Sequence, residues 1–314
     1  MKYKEKILLE GKAFDKQVLR RKKIGLAPDL RKLKKNSYFY NNPWREPEFF
    51  KIQWMGIIQK ILRECKKNSK KKQILEIGCG TGFLALELAR DGHNVLGIDV
   101  SKKSIEQAKN YLDKIDKKKK LKLKYEINDA NKMNLNKKFD VIIFYRSLHH
   151  FKNLKNLLRK VKHHSNPKCT LIICEPLRKN FGKLNLLFSM ILRLSLETWI
   201  KTEKKIPAKI DRKFFELNEK LIFNEYNYFN KYKHFVQSPM DNSTDNPVKV
   251  INEVKRLFNI KKEEYFDGFI DKLIGGLRGK YRFKLANLLK EFDNYLINKR
   301  IIKGTTLYLV AKKK

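Results

Sequence analysis

Apolar positions change period several times along this chain, and each change marks an element. Between Pro47 and Lys66, residues Phe50, Trp54, Ile57, Ile58, Ile61 and Leu62 recur at helical spacing and predict an amphipathic helix. Pro47 suits its first turn, where a missing N–H costs nothing. Lys66–Lys72 reads as a charged connector. From Gln73 onward, short continuous apolar runs alternate with helical patterns. Strands are predicted at Gln73–Ile77, Asn94–Val100, Leu121–Ile127, Asp140–Tyr145 and Thr170–Cys174. Helices are predicted at Phe83–Arg90, with Leu84, Leu86 and Leu88, and at Leu154–His163. Another follows Ser101, which can cap it, and turns Ile105 and Ala108 inward. Such alternation, with apolar strands, means a parallel sheet covered on both faces.

After Glu175-Pro176 the pattern breaks. An apolar helix is predicted at Leu184–Ile200, followed by a basic segment and an aromatic run ending near Phe235. Pro247–Phe258 reads as helix, Ile260–Phe266 as strand, and 268–300 as helical apart from Gly275-Gly276 and Gly279. Thr305–Ala311 is a final strand. Residues 1–46 read as basic and irregular, with Tyr38, Tyr40 and Trp44 able to cover the core as a lid or pack on it as a cap. The expected organisation is a cap at 1–70, a core at 71–176, a helical lid insertion at 177–245, and a C-terminal part at 246–314 that carries a helical insertion at 268–300. The whole is an α/β fold with a seven-stranded, mostly parallel sheet and helices on both faces.

Composition narrows this picture. Hydrophobic residues make up 42% of 314, enough for a substantial core. Lys+Arg number 73 against 33 Asp+Glu, a formal net charge of +40. That excess can attract nucleic acid or anionic lipid. It can equally reflect an AT-rich coding sequence, because Lys, Asn and Ile are all frequent. The runs Lys66–Lys72 and Lys117–Lys120 look like solvated loops rather than a binding stripe. Cys65, Cys79, Cys169 and Cys174 form no CxxC pair, so no zinc or redox site is expected. Free thiols and a start without an apolar signal segment point to the cytoplasm. Leu184–Ile200 contains Asn185, Arg193 and Glu197 and is ill suited to span a bilayer.

The candidate chemistry gathers where strands are predicted to end. Glu76-Ile77-Gly78-Cys79-Gly80-Thr81-Gly82 lies between a strand and a helix. Glycines at alternate positions let backbone turn sharply and approach a ligand, and the helix N-terminus then offers free N–H groups. Asp99 ends the second strand, where a carboxylate can accept from both hydroxyls of a ribose. Asp129 follows the third strand and is placed to meet a purine amino edge. A dinucleotide fingerprint would need its third glycine where Phe83 stands, and no Gly-Lys-Ser/Thr follows the turn.

These residues resemble the class I S-adenosylmethionine-dependent methyltransferases, in the broad group that includes quinone-biosynthesis enzymes. The resemblance covers about 73–176 in detail and implies a Rossmann-like sheet and S-adenosylmethionine as cofactor. Glu76, Gly78, Gly80 and Gly82 match the family's first motif, with Cys79 between them. Asp99 matches its ribose acid, with Val100 beside it, and Asn128-Asp129-Ala130 its adenine-side loop. Arg146-Ser147-Leu148-His149-His150-Phe151 matches the segment often written Leu-His-His. Tyr145 and Arg146 are placed to line the methionine end of the cofactor. His149, His150 and Glu175 are the candidate bases, with the two histidines not separable in sequence.

The acceptor is narrowed by exclusion. The Asn/Asp-Pro-Pro-aromatic motif of exocyclic-amine enzymes is absent where Tyr145-Arg146-Ser147-Leu148 stands. Cys174 lacks the Pro-Cys context of cytosine-C5 enzymes, and the paired-glutamate loop of arginine methyltransferases is missing. A small-molecule acceptor, lipid-like or sugar-like, is expected. An RNA acceptor and a non-catalytic cofactor-binding protein are the alternatives, and Leu184–Ile200 is either a buried lid or a peripheral contact with anionic membrane.

Overall fold

The apolar runs pair side by side. The computed structural model of the chain describes residues 3–26, 28–36, 41–67, 71–151, 153–198, 238–241 and 247–314, with 212 and 216. Seven strands form one sheet: β1 Gln73–Ile77, β2 Asn94–Asp99, β3 Leu123–Ile127, β4 Phe139–Tyr145, β5 Ser165–Pro176, β6 Phe258–Phe266 and β7 Thr306–Lys313. Their order is β3-β2-β1-β4-β5-β7-β6. β1 to β5 run parallel, and β7 is antiparallel to both β5 and β6. Ile74 of β1 faces Val95 on one side and Val141 on the other, so the winding reverses at β1. That reversal opens a crevice at the carboxyl ends of β1 and β4, where open α/β sheets bind ligands.

Helices cover both faces because the central strands are apolar on both. α1 is Tyr3–Lys23, α2 Pro47–Phe50, α3 Gly56–Lys66, α4 Phe83–Arg90 and α5 Lys102–Ile115. α6 is Leu154–His163, α7 Lys183–Ser195, α8 Pro247–Leu257, α9 Ile270–Leu273 and α10 Arg282–Asn298. Ile57, Ile61, Leu84, Leu88 and Ile105 pack on the Val141–Ile143 side. Leu157, Val161, Ile251 and Val254 pack on Leu75, Ile142 and Phe144 on the other. A third cluster joins Phe49 of α2 to Phe269, Leu273, Leu277 and Ala286 in the C-terminal part of the chain. Ser101 caps α5 by accepting the Ser104 N–H at 3.0 Å.

The N-terminus departs from the irregular reading. α1 is a long helix, and its periodicity is weak because it docks through polar contacts: its buried residues are Glu10, Gly11 and Val18. The helix expected over 47–66 forms as α2 and α3, joined by one wider turn at Lys51–Met55. Leu184–Ile200 forms α7 only to Ser195, and it leaves Leu184, Leu187 and Ile191 about half exposed. Tyr38, Tyr40 and the aromatic run ending near Phe235 lie outside the described residues. Among the described residues, no helix is long and apolar enough to cross a membrane.

One buried carboxylate fastens the cap to the core. Asp29 accepts two hydrogen bonds from the Arg90 guanidinium at 2.8 Å, one from Tyr111 Oη at 2.8 Å and one from the Arg31 N–H at 3.0 Å. Burial alone would push its carboxyl up, but Arg90, with Tyr111 and Arg31, holds it well below the usual carboxylate range. A carboxylate depressed in the folded state stabilises fully at neutral pH and loses that contribution as pH falls through the acid range. Removing one partner of a buried pair leaves the other charge uncompensated. Asp29→Ala is therefore expected to cost about 3 kcal/mol in denaturant unfolding at pH 7. The deficit should shrink toward pH 3; a deficit independent of pH would remove the ion pair from this role.

Candidate functional site

The glycine turn is shaped by what its neighbours leave room for. Gly78, Gly80 and Gly82 all take positive φ, at 73°, 54° and 82°. The Gly78 and Cys79 N–H groups donate to the Ile98 carbonyl at 2.8 and 3.0 Å, which folds the turn over β2. A Cβ on Gly78 would sit 2.5 Å from Ser147 Cβ, and one on Gly82 would run into the Tyr125 ring. Gly80 differs: a Cβ there would meet no atom within 4 Å. Its missing side chain keeps open the space above the turn rather than relieving a clash. The Cys79 side chain is buried beside Gly97, and burial pushes its thiol well up, so only its backbone belongs to the turn surface.

Two carboxyl groups sit beneath and beside this turn. Glu76 is buried in β1, where it accepts the Ala85 N–H, while its Oε2 has no partner among the described residues. Burial raises its carboxyl to about 8, and the nearby Asp99 adds to the rise. Asp99 accepts the Gly80 N–H at 2.9 Å and the Ser101 N–H at 2.8 Å, so it ties the turn to the start of α5. Burial pushes its carboxyl up, against the pull of those two N–H groups.

α1 lies across the ends of β2 and β3. A Cβ on Gly11 would come within 3.0 Å of the Val100 carbonyl, so the helix backbone rests directly on that residue. Asp15 accepts from Ser101 Oγ at 2.7 Å and from the Lys103 N–H at 2.9 Å. Tyr3 donates to the Asp129 carboxylate, 2.9 Å from each oxygen. Ala130 is buried in the core beneath, and Asn131 donates its N–H to Asp129 at 3.0 Å. Tyr3, Glu10 and Asp15 were missed in sequence because nothing in their local pattern points to a partner about 90 or more residues away.

The loop after β4 separates the two histidines. Glu175, at the end of β5, accepts the Ser147 and Leu148 N–H groups at 2.8 and 2.7 Å. His149 Nδ1 lies 2.6 Å from its other oxygen. His150 Nδ1 instead lies 2.9 Å from Glu10 Oε1 and 2.9 Å from Ser238 Oγ, with Phe14 against its ring edge. His150 therefore holds the cap, while His149 is held by the core. Burial lowers the His149 pKa below its ordinary 6.5, against the pull of Glu175. A neutral His149 donates from Nδ1 to the carboxylate and keeps Nε2 free of a proton. No hydrogen bond to a described residue uses that Nε2. Tyr145 is buried with its ring on Phe83, which in turn meets Trp44, and burial raises its hydroxyl.

The arrangement fits the cofactor implied by the resemblance. An open cradle over Gly80, a buried Glu76 oxygen without a partner, and carboxylates at Asp99 and Asp129 would hold a sulfonium amino acid joined to adenosine. Gly80→Val is expected to abolish S-adenosylmethionine binding in a calorimetric titration while the fold survives. Normal affinity in that variant would mean that the turn does not approach the ligand. Asp99→Ala is expected to weaken binding by roughly 10-fold or more, from the loss of charge-assisted hydrogen bonds. An unchanged dissociation constant would take Asp99 out of the ribose role.

The chain is similar to proteins of known name. Ubiquinone biosynthesis O-methyltransferase of Rickettsia typhi is 33% identical over 144 residues, which cover 46% of this chain and 55% of that protein. Its counterpart from Pelagibacter ubique is 36% identical over 99 residues, covering 32% of this chain and 40% of that one. The chain thus spans about half the length of the curated relatives it matches. A crystal structure of an S-adenosylmethionine-dependent methyltransferase from Mesorhizobium loti superposes with a TM-score of 0.47 at 16% identity, over 81% of this chain and 96% of that one. The methyltransferase domain family matches residues 68–233, more than half of the chain, and the chain belongs to that family.

Proposed function

We propose that this chain transfers a methyl group to a hydroxyl of a small, partly apolar acceptor, with His149 as the base. The observation that carries the reading is the His149–Glu175 pair, 2.6 Å apart, at the crevice edge beside the glycine turn. S-adenosylmethionine would supply a methyl group already activated on a positively charged sulfur. The protein's work is then to align the two reactants, exclude water and remove one proton. His149 Nε2 would take the acceptor's hydroxyl proton, and Glu175 would stabilise the imidazolium through Nδ1–H. The acceptor class is supported by the hydroxyl chemistry named for the relatives and by the aromatic row of Tyr145, Phe83 and Trp44. The half-exposed apolar stripe of α7 supports an acceptor that is lipid-like in part. The setting that fits is the cytoplasm, where the buried thiols of Cys65, Cys79, Cys169 and Cys174 stay reduced.

The test uses labelled S-adenosylmethionine with quinone, lipid and sugar extracts as acceptors. Because the His149 pKa lies below 6.5, kcat/KM should rise with pH through an apparent pKa under that value and stay level above it. His149→Gln is expected to lower kcat by roughly 100-fold or more and to abolish that limb. Its affinity for S-adenosylhomocysteine should stay within about 2-fold, since no cofactor contact is removed. An unaltered pH profile in the variant would remove His149 as the base, and turnover of RNA alone would replace the acceptor class.

A further inference from the structure

The residue that follows β4 is not used by the chemistry above. Arg146 takes a positive φ of 56°, which an arginine adopts only when its surroundings hold it there. Its N–H donates to the Cys174 carbonyl at 2.7 Å, so the backbone is fixed by β5. The guanidinium lies 4.6 Å from the centre of the Trp54 ring. Among the described residues, no carboxylate or carbonyl accepts a hydrogen bond from that guanidinium, although the residue is half-buried.

The acids in its neighbourhood are committed elsewhere. Asp267 accepts from Gln53 at 2.9 Å, Lys290 at 2.5 Å and Thr306 at 2.8 Å. Asp293 accepts the Gly268, Phe269 and Ile270 N–H groups. Asp271 pairs with Lys272. Burial also pushes the Asp271 carboxyl well up. Beside Arg146, the indole Nε1 of Trp54 is buried and has no acceptor among the described residues. Two donor groups from distant parts of the chain are therefore side by side, one of them three residues before His149, and neither has an acceptor among the described residues. A guanidinium fork matches the two oxygens of a carboxylate or phosphate, and stacking on an aromatic face pre-orients it.

We propose that Arg146, backed by Trp54, receives an oxyanion carried by the methyl acceptor, a carboxylate or a phosphate. The acceptor is then an amphiphile whose anionic group is pinned at Arg146 while its hydroxyl is presented to His149. This rests on the methyltransferase reading and adds a charge to the acceptor class. One rival source of the same chemistry is the cofactor's own carboxylate.

The experiment is a calorimetric titration of the full chain saturated with S-adenosylhomocysteine. The probes are 4-hydroxyphenylacetate, 4-hydroxyphenyl phosphate and the uncharged 4-hydroxyphenylacetamide. At least one anionic probe should bind about 10-fold or more tighter than the amide. Arg146→Asn removes the charge and tolerates positive φ, so the fold should survive; it should erase that preference. Arg146→Lys should restore part of it. Equal or absent binding of all three probes overturns the proposal, as does a preference that persists in Arg146→Asn. A matching loss of S-adenosylhomocysteine affinity in Arg146→Asn, with the probe preference intact, assigns the arginine to the cofactor instead. Wild-type chain that binds no S-adenosylhomocysteine defeats the underlying reading itself. If the cofactor binds but neither anion is preferred, only the oxyanion proposal fails.

Discussion

The Glu175 carboxylate organises the crevice. It is almost fully buried at the end of β5, and it takes up the Ser147 and Leu148 N–H groups and His149 Nδ1. A loop that leaves a parallel strand has backbone donors with no ladder to join, and one carboxylate satisfies two of them here. With the loop fixed, Ser147 Oγ reaches the Ile77 carbonyl at 2.6 Å. That contact brings Ser147 so close to the first glycine that no side chain fits at Gly78. The candidate cofactor turn and the candidate base are thus set by one buried charge. Substitution of Glu175 would disturb both, which makes its own chemical contribution hard to isolate by mutation.

Buried polar contacts join distant parts of the chain at and beside the crevice. Glu10 is buried in α1, beside His150, Ser238 and the Met240 N–H. Asp29 is held by Arg90 and Tyr111. A buried polar group without its partners costs far more than an apolar mismatch, so such contacts define one geometry closely. They add less net stability than their number suggests, because each buried charge first gives up its hydration.

This division explains what was legible in the sequence. The sheet could be read because β1, β2, β4 and β5 are apolar, and because glycine spacing has a direct conformational meaning. The position of Asp99 could be read because it ends a strand at a fixed place in the winding. The ends of strands were less exact: β5 begins at Ser165 rather than Thr170, since pairing with β4 continues past the apolar run. α1 was invisible because its buried face is made by Glu10, Gly11 and Val18, which do not form an apolar stripe. The distinction between His149 and His150 was also hidden. It depends on Glu175 in one case and on Glu10 and Ser238 in the other, and adjacent residues share every local signal.

The segment around α9 and α10 shows why position and chemistry are coupled at this crevice. Asp267 joins Gln53 beside Trp54, Lys290 on α10, and Thr306 at the start of β7. Asp293 on the same helix gathers the turn that leads into α9. These two carboxylates fix α9 and α10 against the N-terminal helical segment and the last strand. The segment so held is the one that carries Trp54, and Trp54 supports Arg146. The geometry around the arginine is therefore set by contacts that never touch a ligand. A loop residue alone would sample many rotamers; an arginine stacked on a ring whose helix is pinned by buried acids samples few. Pre-organisation of this kind lowers the ordering cost of binding, so a single cation can discriminate among acceptors that differ by one charge.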